Sequence, residues 1–319
     1  MQRLIFIILL LTLPFIGFSK EKFEVISFPE AEVLNENTTR IPFKLVDHLI
    51  VIEAELLNQK GNFIIDTGSE RLMLNKKHFK TYSANLNKTR ETSGIHNLID
   101  NSIEKRLREF IIKDLKIRHK NSDIIDLSHI ELSKKMRLLG IIGYNILKDY
   151  EIFIDMHLNQ ITLSRVNAKG EKLDKNIYLE RLIDSVDFKL KKHTIVLEAY
   201  IDDQKMKFGL DTAAEYNQLN ASINKKALKH FFPKRRLMLV GASGKRIEVL
   251  AGKLYRVKLT ESIYFAPMKT TLTNLNRMNE AFGTSLDGLM GYEFLRQQRT
   301  IINYQKEKLY FVEYPLNRE

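Results

Sequence analysis

The chain has 319 residues, of which 44% are apolar and 28% are charged, so it is long enough to form one large or two ordinary globular domains. This composition excludes a disordered, collagen-like or coiled-coil protein. The absence of cysteine excludes disulfides, thiolate metal sites and a cysteine nucleophile. The net charge of +12 comes from basic residues interleaved with acidic ones, which predicts a solvated surface and no nucleic-acid partner.

Residues 1–19 have the pattern of an export signal. Arg3 precedes an almost uninterrupted apolar run over residues 4–18, and Gly17 and Ser19 are small residues at the positions that a signal peptidase inspects. The apolar run is shorter than the roughly 20 residues that span a bilayer, although an uncleaved anchor is the alternative. No cysteine follows the run to carry a lipid. We therefore expect cleavage after Ser19 and a soluble protein, exported to the periplasm or secreted, with no stable membrane span.

An internal repeat organises the rest of the chain. Residues 48–68 align without a gap with residues 193–213, and ten of the 21 positions are identical, where chance would give about one or two. Residues 140–163 and 288–311 form a second matched pair in the same order. Two copies of this length predict two similar lobes that face each other across a pseudo-twofold axis, with a cleft on that axis. We expect an N-terminal lobe at residues 20–166 and a C-terminal lobe at 177–319, joined by the polar linker 167–176.

Each lobe is predicted to be mostly β. Alternating apolar positions predict a strand near residues 50–54, a second strand at 63–65 that leads into Asp66, and an extended run at 71–74. Glycines at residues 94 and 244 predict a hairpin tip in each lobe. One helix per lobe is expected to begin at Gly143 or Gly291, followed by strands at 152–154 and 301–302. The second lobe repeats the elements of the first.

An aspartate follows the same buried strand in both lobes. A carboxylate at such a position loses hydration, so its recurrence calls for a chemical reason. The pseudo-twofold axis would bring Asp66 and Asp211 together, where like charge prevents both from ionising and one proton is shared. Such a pair can activate a water molecule against a carbonyl group without a covalent intermediate. The two loops are Asp66-Thr67-Gly68-Ser69 and Asp211-Thr212-Ala213-Ala214.

These loops resemble those of the retropepsin-like aspartic proteases, fused into one chain as in the bacterial exported aspartyl proteases. The similarity rests on Asp66-Thr67-Gly68-Ser69 and on residues 141–147, and it extends over about residues 43–312. It implies two closed β-barrel lobes, catalytic Asp66 and Asp211, and no cofactor or metal. It also implies that Thr67 and Thr212 hydrogen-bond across the interface. The two hairpins at Ser93-Gly94 and Ser243-Gly244 would be flaps that close over an extended polypeptide substrate.

The chain departs from this family at two kinds of position. Ala213 stands where the family has glycine, and Tyr144 and Tyr292 stand where retroviral enzymes have an arginine that anchors the dimer. The two loops also differ three residues after each aspartate, where Ser69 can donate a hydrogen bond to a carboxylate and Ala214 cannot. We therefore expect Asp66 to be ionised and Asp211 to hold the proton.

Other candidate sites have simpler explanations. Residues 241–246 lack the glycine and the hydroxyl residue of a phosphate loop, and the eight histidines show no metal-ligand spacing. Asp155 is expected to be structural, and Glu53 and Glu198 to be exposed on strands. The predicted function is a monomeric, metal-independent aspartic endopeptidase. The alternative is a protein of the same fold, weakened at Ala213, that binds extended peptide or polymer without cutting it.

Overall fold

The computed structural model describes residues 26–80, 89–94, 97–113, 115–175, 180–240 and 246–314, and these are mostly β, as predicted. The first half contains two short helices, α1 (Ser128–Ser133) and α2 (Tyr144–Leu147). Its strands are β1 (Glu32–Asn35), β2 (Thr38–Pro42), β3 (Lys44–Val46), β4 (Leu49–Leu56), β5 (Gln59–Ile65), β6 (Leu72–Asn75), β7 (Thr89–Gly94), β8 (Asn97–Ile112), β9 (Leu115–Ile125), β10 (Leu138–Ile142), β11 (Tyr150–Asp155) and β12 (Gln160–Arg165).

The second half repeats this arrangement with three short helices, α3 (Lys225–Leu228), α4 (Asn276–Phe282) and α5 (Tyr292–Leu295). Its strands are β13 (Leu182–Lys191), β14 (Thr194–Ile201), β15 (Gln204–Leu210), β16 (Asn217–Asn220), β17 (Phe231–Val240), β18 (Arg246–Leu254), β19 (Val257–Lys258), β20 (Tyr264–Phe265), β21 (Met268–Thr273), β22 (Gly288–Met290), β23 (Arg299–Asn303) and β24 (Lys308–Val312).

Six strands of the first half close into a barrel. They pair in the order β4, β5, β10, β6, β9 and β8, and the ring closes where Glu55 on β4 lies opposite Ile111 on β8. Apolar side chains that alternate along these strands fill the interior, including Ile50, Ile52 and Phe110, which are all buried. Packing in this interior fixes the direction of β5 and therefore the position of the residues that follow it.

The second half has the same strand order without one continuous closing strand. Its strands pair in the order β14, β15, β22, β16, β21 and β18. The strand that corresponds to β8 is broken after Leu254, and Arg256 has a positive φ of 57°. The two-residue strand β19 then pairs with β14 through Tyr200 and Lys258. A closed second barrel is therefore not confirmed, although the matched strands occur in matched places.

A single sheet joins the two halves. It runs β2, β12, β11 from the first half into β23, β24, β13 of the second, with β11 and β23 antiparallel. Phe153 lies opposite Ile301 in this pair, and the two positions correspond at the repeat offset of 148. Equivalent residues can face each other in this way only on a twofold axis, so the predicted pseudo-twofold axis passes through this sheet.

Two repeat-matched glycines allow the strands beside the aspartates to pack closely. A Cβ on Gly140 would lie 2.3 Å from the backbone oxygen of Met73, and one on Gly288 would lie 2.5 Å from the backbone oxygen of Gln218. Real Cβ atoms do not approach backbone oxygens so closely, so glycine is required at both positions. These glycines let β10 and β22 each insert between two neighbouring strands.

Several predictions about individual elements need correction or lie outside the described residues. The sequence predicted one helix per lobe, at α2 and α5, and missed α1, α3 and α4. Residues 1–25, and therefore the expected export signal, are outside the described residues. The linker is anchored, because the buried Asp174 accepts hydrogen bonds from Asn35 Nδ2 at 2.6 Å and Thr38 Oγ1 at 3.0 Å. The division into lobes at 167–176 stays a prediction.

Candidate active site

The two Asp-Thr loops begin where β5 and β15 end. Strand β5 runs parallel to β10, and Asp66 N donates to the Ile142 carbonyl at 3.0 Å. Strand β15 runs parallel to β22, and Asp211 N donates to the Met290 carbonyl at 2.9 Å. Strands β10 and β22, which belong to the second pair of matched segments, thus fix the point at which each aspartate leaves its strand.

Four reciprocal hydrogen bonds lock the two loops together. Thr67 N donates to Thr212 Oγ1 and Thr212 N donates to Thr67 Oγ1, both at 3.0 Å. Thr67 Oγ1 donates to the Leu210 carbonyl at 3.0 Å, and Thr212 Oγ1 donates to the Ile65 carbonyl at 2.8 Å. Both threonines are buried, so each hydroxyl accepts one bond and donates another across the interface. The interface bonds implied by the family resemblance are present.

Asp66 is half-buried and has three hydrogen-bond donors. Gly68 N and Ser69 N donate to Oδ1 at 2.7 and 3.1 Å, and Ser69 Oγ donates to Oδ2 at 2.6 Å. Donors of this kind favour the charged form of a carboxyl group. The expected hydrogen bond from Ser69 to Asp66 is therefore found.

Asp211 has the opposite surroundings, although it occupies the matched position. It is 2% exposed, and Oδ1 accepts a hydrogen bond from Ala213 N at 2.9 Å. Oδ2 is buried and accepts no hydrogen bond from the part of the chain that the structure describes. Burial raises the pKa of Asp211 well above its usual range, and the negative charge of Asp66 raises it further.

A side-chain hydrogen bond with Asp66, on the other side of the interface, also raises the pKa of Asp211. Two ionised carboxylates cannot form that bond, since both only accept. A proton on one of the two carboxyl groups provides the donor, and the raised pKa favours Asp211 as its holder. The direction of this pKa shift agrees with the expectation that Asp211 holds the shared proton, which is a property of the pair as a whole.

Gly68 and Ala213 occupy matched positions with different steric demands. A Cβ on Gly68 would lie 2.9 Å from Asp211 Cγ, so this position requires glycine. Ala213 does not have a positive φ, and it packs against an apolar cluster of the first half that includes Leu49 and Ile141. The backbone strain that glycine would relieve is therefore absent at Ala213. Ala214 is buried beside it and provides no side-chain donor to Asp211.

Two histidines at matched repeat positions also cross the interface. His193 Nε2 lies 3.1 Å from the Gly68 carbonyl oxygen. His48 stacks on Tyr292 at a centroid distance of 4.4 Å and packs edge-on against Tyr216. Sequence reasoning considered these histidines only as metal ligands. Their identity in both repeats was the signal that they share an interface role, and His48 contacts one of the tyrosines found in place of the family's arginine.

Nothing in the sequence pattern pointed to Tyr304, a buried tyrosine near the aspartates. Burial raises the pKa of Tyr304 well above its usual range, with a further contribution from the charge of Asp66. Its hydroxyl has no hydrogen-bond partner among the described residues. Its ring packs edge-on against Tyr144, the other tyrosine found in place of the family's arginine, at a centroid distance of 5.2 Å.

The predicted flap residues are only partly within the described residues. Ser93 and Gly94 end strand β7, where they pair with Leu98 and Asn97 of β8, so a hairpin occurs where it was expected. Ser243 and Gly244 are outside the described residues. The flanking strands β17 and β18 pair up to Val240 and Arg246.

The other acidic residues considered from the sequence have structural partners. The buried Asp155 binds Arg299 at 2.8 Å, as expected for a structural residue. Glu53 pairs with Lys60 at 2.8 Å and Glu198 with Lys205 at 2.7 Å, which are matched cross-strand pairs. Within the described ranges no group of three or more His, Asp or Glu side chains could hold a metal ion. No helix in those ranges is both long and apolar enough to cross a membrane.

The sequence matches no protein-family model and no curated protein. Among solved structures, the chain is similar to the crystal structure of a retropepsin-like aspartic protease from Rickettsia conorii, with 16% sequence identity. The similarity covers 44% of this chain and 97% of that chain, with a TM-score of 0.29. At this identity and TM-score the similarity establishes neither the arrangement of the two halves nor an activity.

Proposed function

We propose that this chain is an aspartic-type endopeptidase that hydrolyses peptide bonds between its two halves. The observation that carries the proposal is the interlocking of two repeat-matched Asp-Thr loops, in which Asp211 is buried with a strongly raised pKa and Asp66 has three hydrogen-bond donors. Pairs of carboxyl groups with opposed surroundings are typical of acid–base hydrolysis. The family resemblance of the Asp-Thr loops supports the same proposal.

In the proposed mechanism both carboxyl groups act on one water molecule and one substrate carbonyl. The ionised Asp66 takes a proton from the water as it attacks the carbonyl carbon, and the protonated Asp211 donates a proton to the carbonyl oxygen. Asp66 then gives its proton to the amide nitrogen as the C–N bond breaks, and Asp211 takes a proton from a hydroxyl group of the hydrated carbonyl, which returns both groups to their starting states. No covalent intermediate with the chain forms. The hydrogen bonds between Thr67 and Thr212 keep the two loops at a fixed separation, which this chemistry requires.

The place of action and the assembly state are also part of the proposal. The apolar run at residues 4–18 supports removal of residues 1–19 and action in the periplasm or after secretion. Both aspartates come from one chain, which supports a monomeric enzyme with an extended polypeptide as its substrate. We expect the protein to be active despite Ala213, because the side chain of this residue packs against an apolar cluster.

The test is cleavage of a denatured protein by purified residues 20–319 at pH values from about 4 to 7. We expect cleavage that pepstatin inhibits and a chelator does not. Asp66→Asn and Asp211→Asn should each reduce the rate by about 10³-fold or more, because each removes one of the two proton-transfer groups. Peptide binding without cleavage in the unsubstituted protein and in both variants would instead support a binding protein of this fold.

A further inference from the structure

His193 contacts the first Asp-Thr loop at a single peptide group, the one between Gly68 and Ser69. The Gly68 carbonyl lies within hydrogen-bond distance of His193 Nε2, at 3.1 Å, and the Ser69 N–H of the same peptide group donates to Asp66 Oδ1 at 3.1 Å. The carbonyl and N–H of a trans peptide point in opposite directions within one plane. A rotation of this peptide would therefore weaken both hydrogen bonds together.

The chemistry of the contact fixes the tautomer of the imidazole. A carbonyl oxygen only accepts, so Nε2 must carry a hydrogen, and burial lowers the pKa of His193, which favours the neutral ring with Nδ1 unprotonated. Nδ1 is buried and has no hydrogen-bond partner among the described residues, which agrees with a neutral ring that donates from one side only. The edge-on contact with Phe282, at a centroid distance of 5.2 Å, holds the plane of the ring.

The turns that carry the two histidines explain why only one of them reaches an active-site loop. His48 lies in a two-residue turn in which both Asp47 and His48 have positive φ, 47° and 72°. His193 lies in the matched turn, where Lys192 has a φ of 57° and His193 does not have a positive φ. The two side chains therefore leave the backbone in different directions. His48 packs on tyrosine rings, and His193 donates a hydrogen bond.

We propose that His193 is a positioning residue that orients the Gly68–Ser69 peptide and so holds the Ser69 donors against Asp66. The second half of the chain would thereby hold in place the hydrogen-bond donors of the carboxyl group contributed by the first half. This inference rests on the proposed function for its effect on catalysis, and on the interface geometry alone for its effect on the carboxyl pair.

The decisive comparison is between His193→Gln and His193→Asn. The side-chain amide of glutamine can place a donor near the position of Nε2, whereas that of asparagine ends near the position of Nδ1 and is too short to reach the Gly68 carbonyl. We expect His193→Asn to lower kcat about tenfold, which is the effect of one lost hydrogen bond, with KM changed less than about twofold. His193→Gln should keep kcat within about twofold of the unsubstituted protein.

The pH profile distinguishes positioning from a general loss of stability. We expect the acidic limb of kcat/KM to move to higher pH in His193→Asn and to return in His193→Gln, because the donors to Asp66 favour its ionised form. Charged groups near His193 are Glu70, Asp66 and Lys192, and none is altered in these variants. Thermal unfolding of each variant would show whether the fold is intact.

His48→Asn is the matched control. It removes the repeat-equivalent imidazole and its stacking on Tyr292, but no hydrogen bond to an Asp-Thr loop. We expect some loss of thermal stability without a shift of the acidic limb. The same shift in His48→Asn as in His193→Asn would mean that weaker packing between the halves causes the effect, and would overturn the inference.

A second measurement separates failure of this inference from failure of the proposed function. In protein labelled with ¹³C at the aspartate carboxyl groups, the lower titration step of the Asp66–Asp211 pair should move to higher pH in His193→Asn and not in His193→Gln. This titration needs no substrate, so it tests His193 even if the protein cleaves nothing. An unchanged titration in His193→Asn, or an equal change in His193→Gln, would refute the positioning role.

Discussion

The two aspartates have the same place in the repeat and different surroundings. Ser69 provides a hydroxyl donor to Asp66, while Ala214 at the matched position has none to offer Asp211. Hydrogen bonds to a carboxylate favour its ionised form, and burial without donors favours its protonated form. Small differences at the side chains next to each aspartate thus decide which carboxyl group carries the shared proton.

The first prediction concerns Ser69→Ala. The substitution removes the 2.6 Å hydrogen bond from Ser69 Oγ to Asp66 Oδ2 and leaves the backbone donors in place. The acidic limb of the pH–rate profile should then move to higher pH, because a hydrogen bond to a carboxyl group favours its charged form. The measurement is kcat/KM on a peptide substrate across the acidic range. Ser133→Ala, at an exposed helix end, is the control, and an unmoved limb in Ser69→Ala would contradict the assigned role.

The second prediction concerns the stability of Asp211→Asn as a function of pH. Because its pKa is raised in the folded state, Asp211 binds a proton more tightly when folded, and its contribution to stability declines as the pH rises above its ordinary pKa of 3.8. Asparagine has no such dependence. We expect the variant and the unsubstituted protein to unfold at similar temperatures near pH 3, and the variant to unfold at a higher temperature at pH 7.

Asp66→Asn is the matched comparison for this experiment. Asp66 is half-buried and its charge is stabilised by three donors, so its replacement should raise the unfolding temperature at pH 7 by less than Asp211→Asn does. Equal gains from both variants would show that the two carboxyl groups are equivalent, contrary to the asymmetry of their surroundings.

At the scale of elements, the two Asp-Thr loops occupy matched positions in the repeat, but the space available for a side chain at the third residue differs between them. Glycine is required at residue 68 because a Cβ there would lie 2.9 Å from Asp211 Cγ. Alanine is accepted at residue 213 because its Cβ has apolar neighbours and its φ is not positive. The family motif is therefore needed in one loop and dispensable in the other.

The third prediction exchanges these two positions. Gly68→Ala should lower kcat by about 10²-fold through displacement of Asp211, and should destabilise the fold by about 1–3 kcal/mol. Ala213→Gly should leave kcat within about twofold and cost about 1 kcal/mol through lost packing and added chain entropy. Steady-state kinetics and chemical unfolding measure both. A large gain in activity from Ala213→Gly would mean that Ala213 impairs the site.

The repeat made much of the site predictable from the sequence. Ten identities in 21 positions located the Asp-Thr loops, and the twofold relation that two copies imply placed Asp66 against Asp211. The sequence did not predict the break after Leu254, which depends on tertiary packing more than on local pattern, and it missed the one-turn helix α3 although Asn224 caps its N-terminus. It also missed the contact of His193 with the Gly68 carbonyl, because the sequence does not show that the matched turns differ in φ at residues 48 and 193.

At the scale of the whole molecule, several kinds of contact besides the linker join the halves, and three of them involve backbone, hydroxyl and charged groups. Strands β11 and β23 share backbone hydrogen bonds, and the threonines lock the loops. The buried ion pair between Asp155 of the first half and Arg299 of the second adds a third tie, in which Arg299 Nε donates at 2.9 Å. These contacts bury surfaces that each half alone would expose, including the edges of β11 and β23.

The fourth prediction is that the halves stay together when the linker is cut. A protease site inserted between the exposed residues Ala168 and Lys169 would break the chain without removing any of these contacts. We expect the cut protein to elute as one particle and to keep its peptidase activity, because the sheet and the loops, more than the linker, hold the aspartates together. In cut Arg299→Met, Asp155 keeps two backbone donors but is buried without its counter-ion, at a cost of up to about 3–5 kcal/mol, so the halves should separate at a lower denaturant concentration. Separation of the cut protein in buffer alone would show that the covalent linker is what maintains the site.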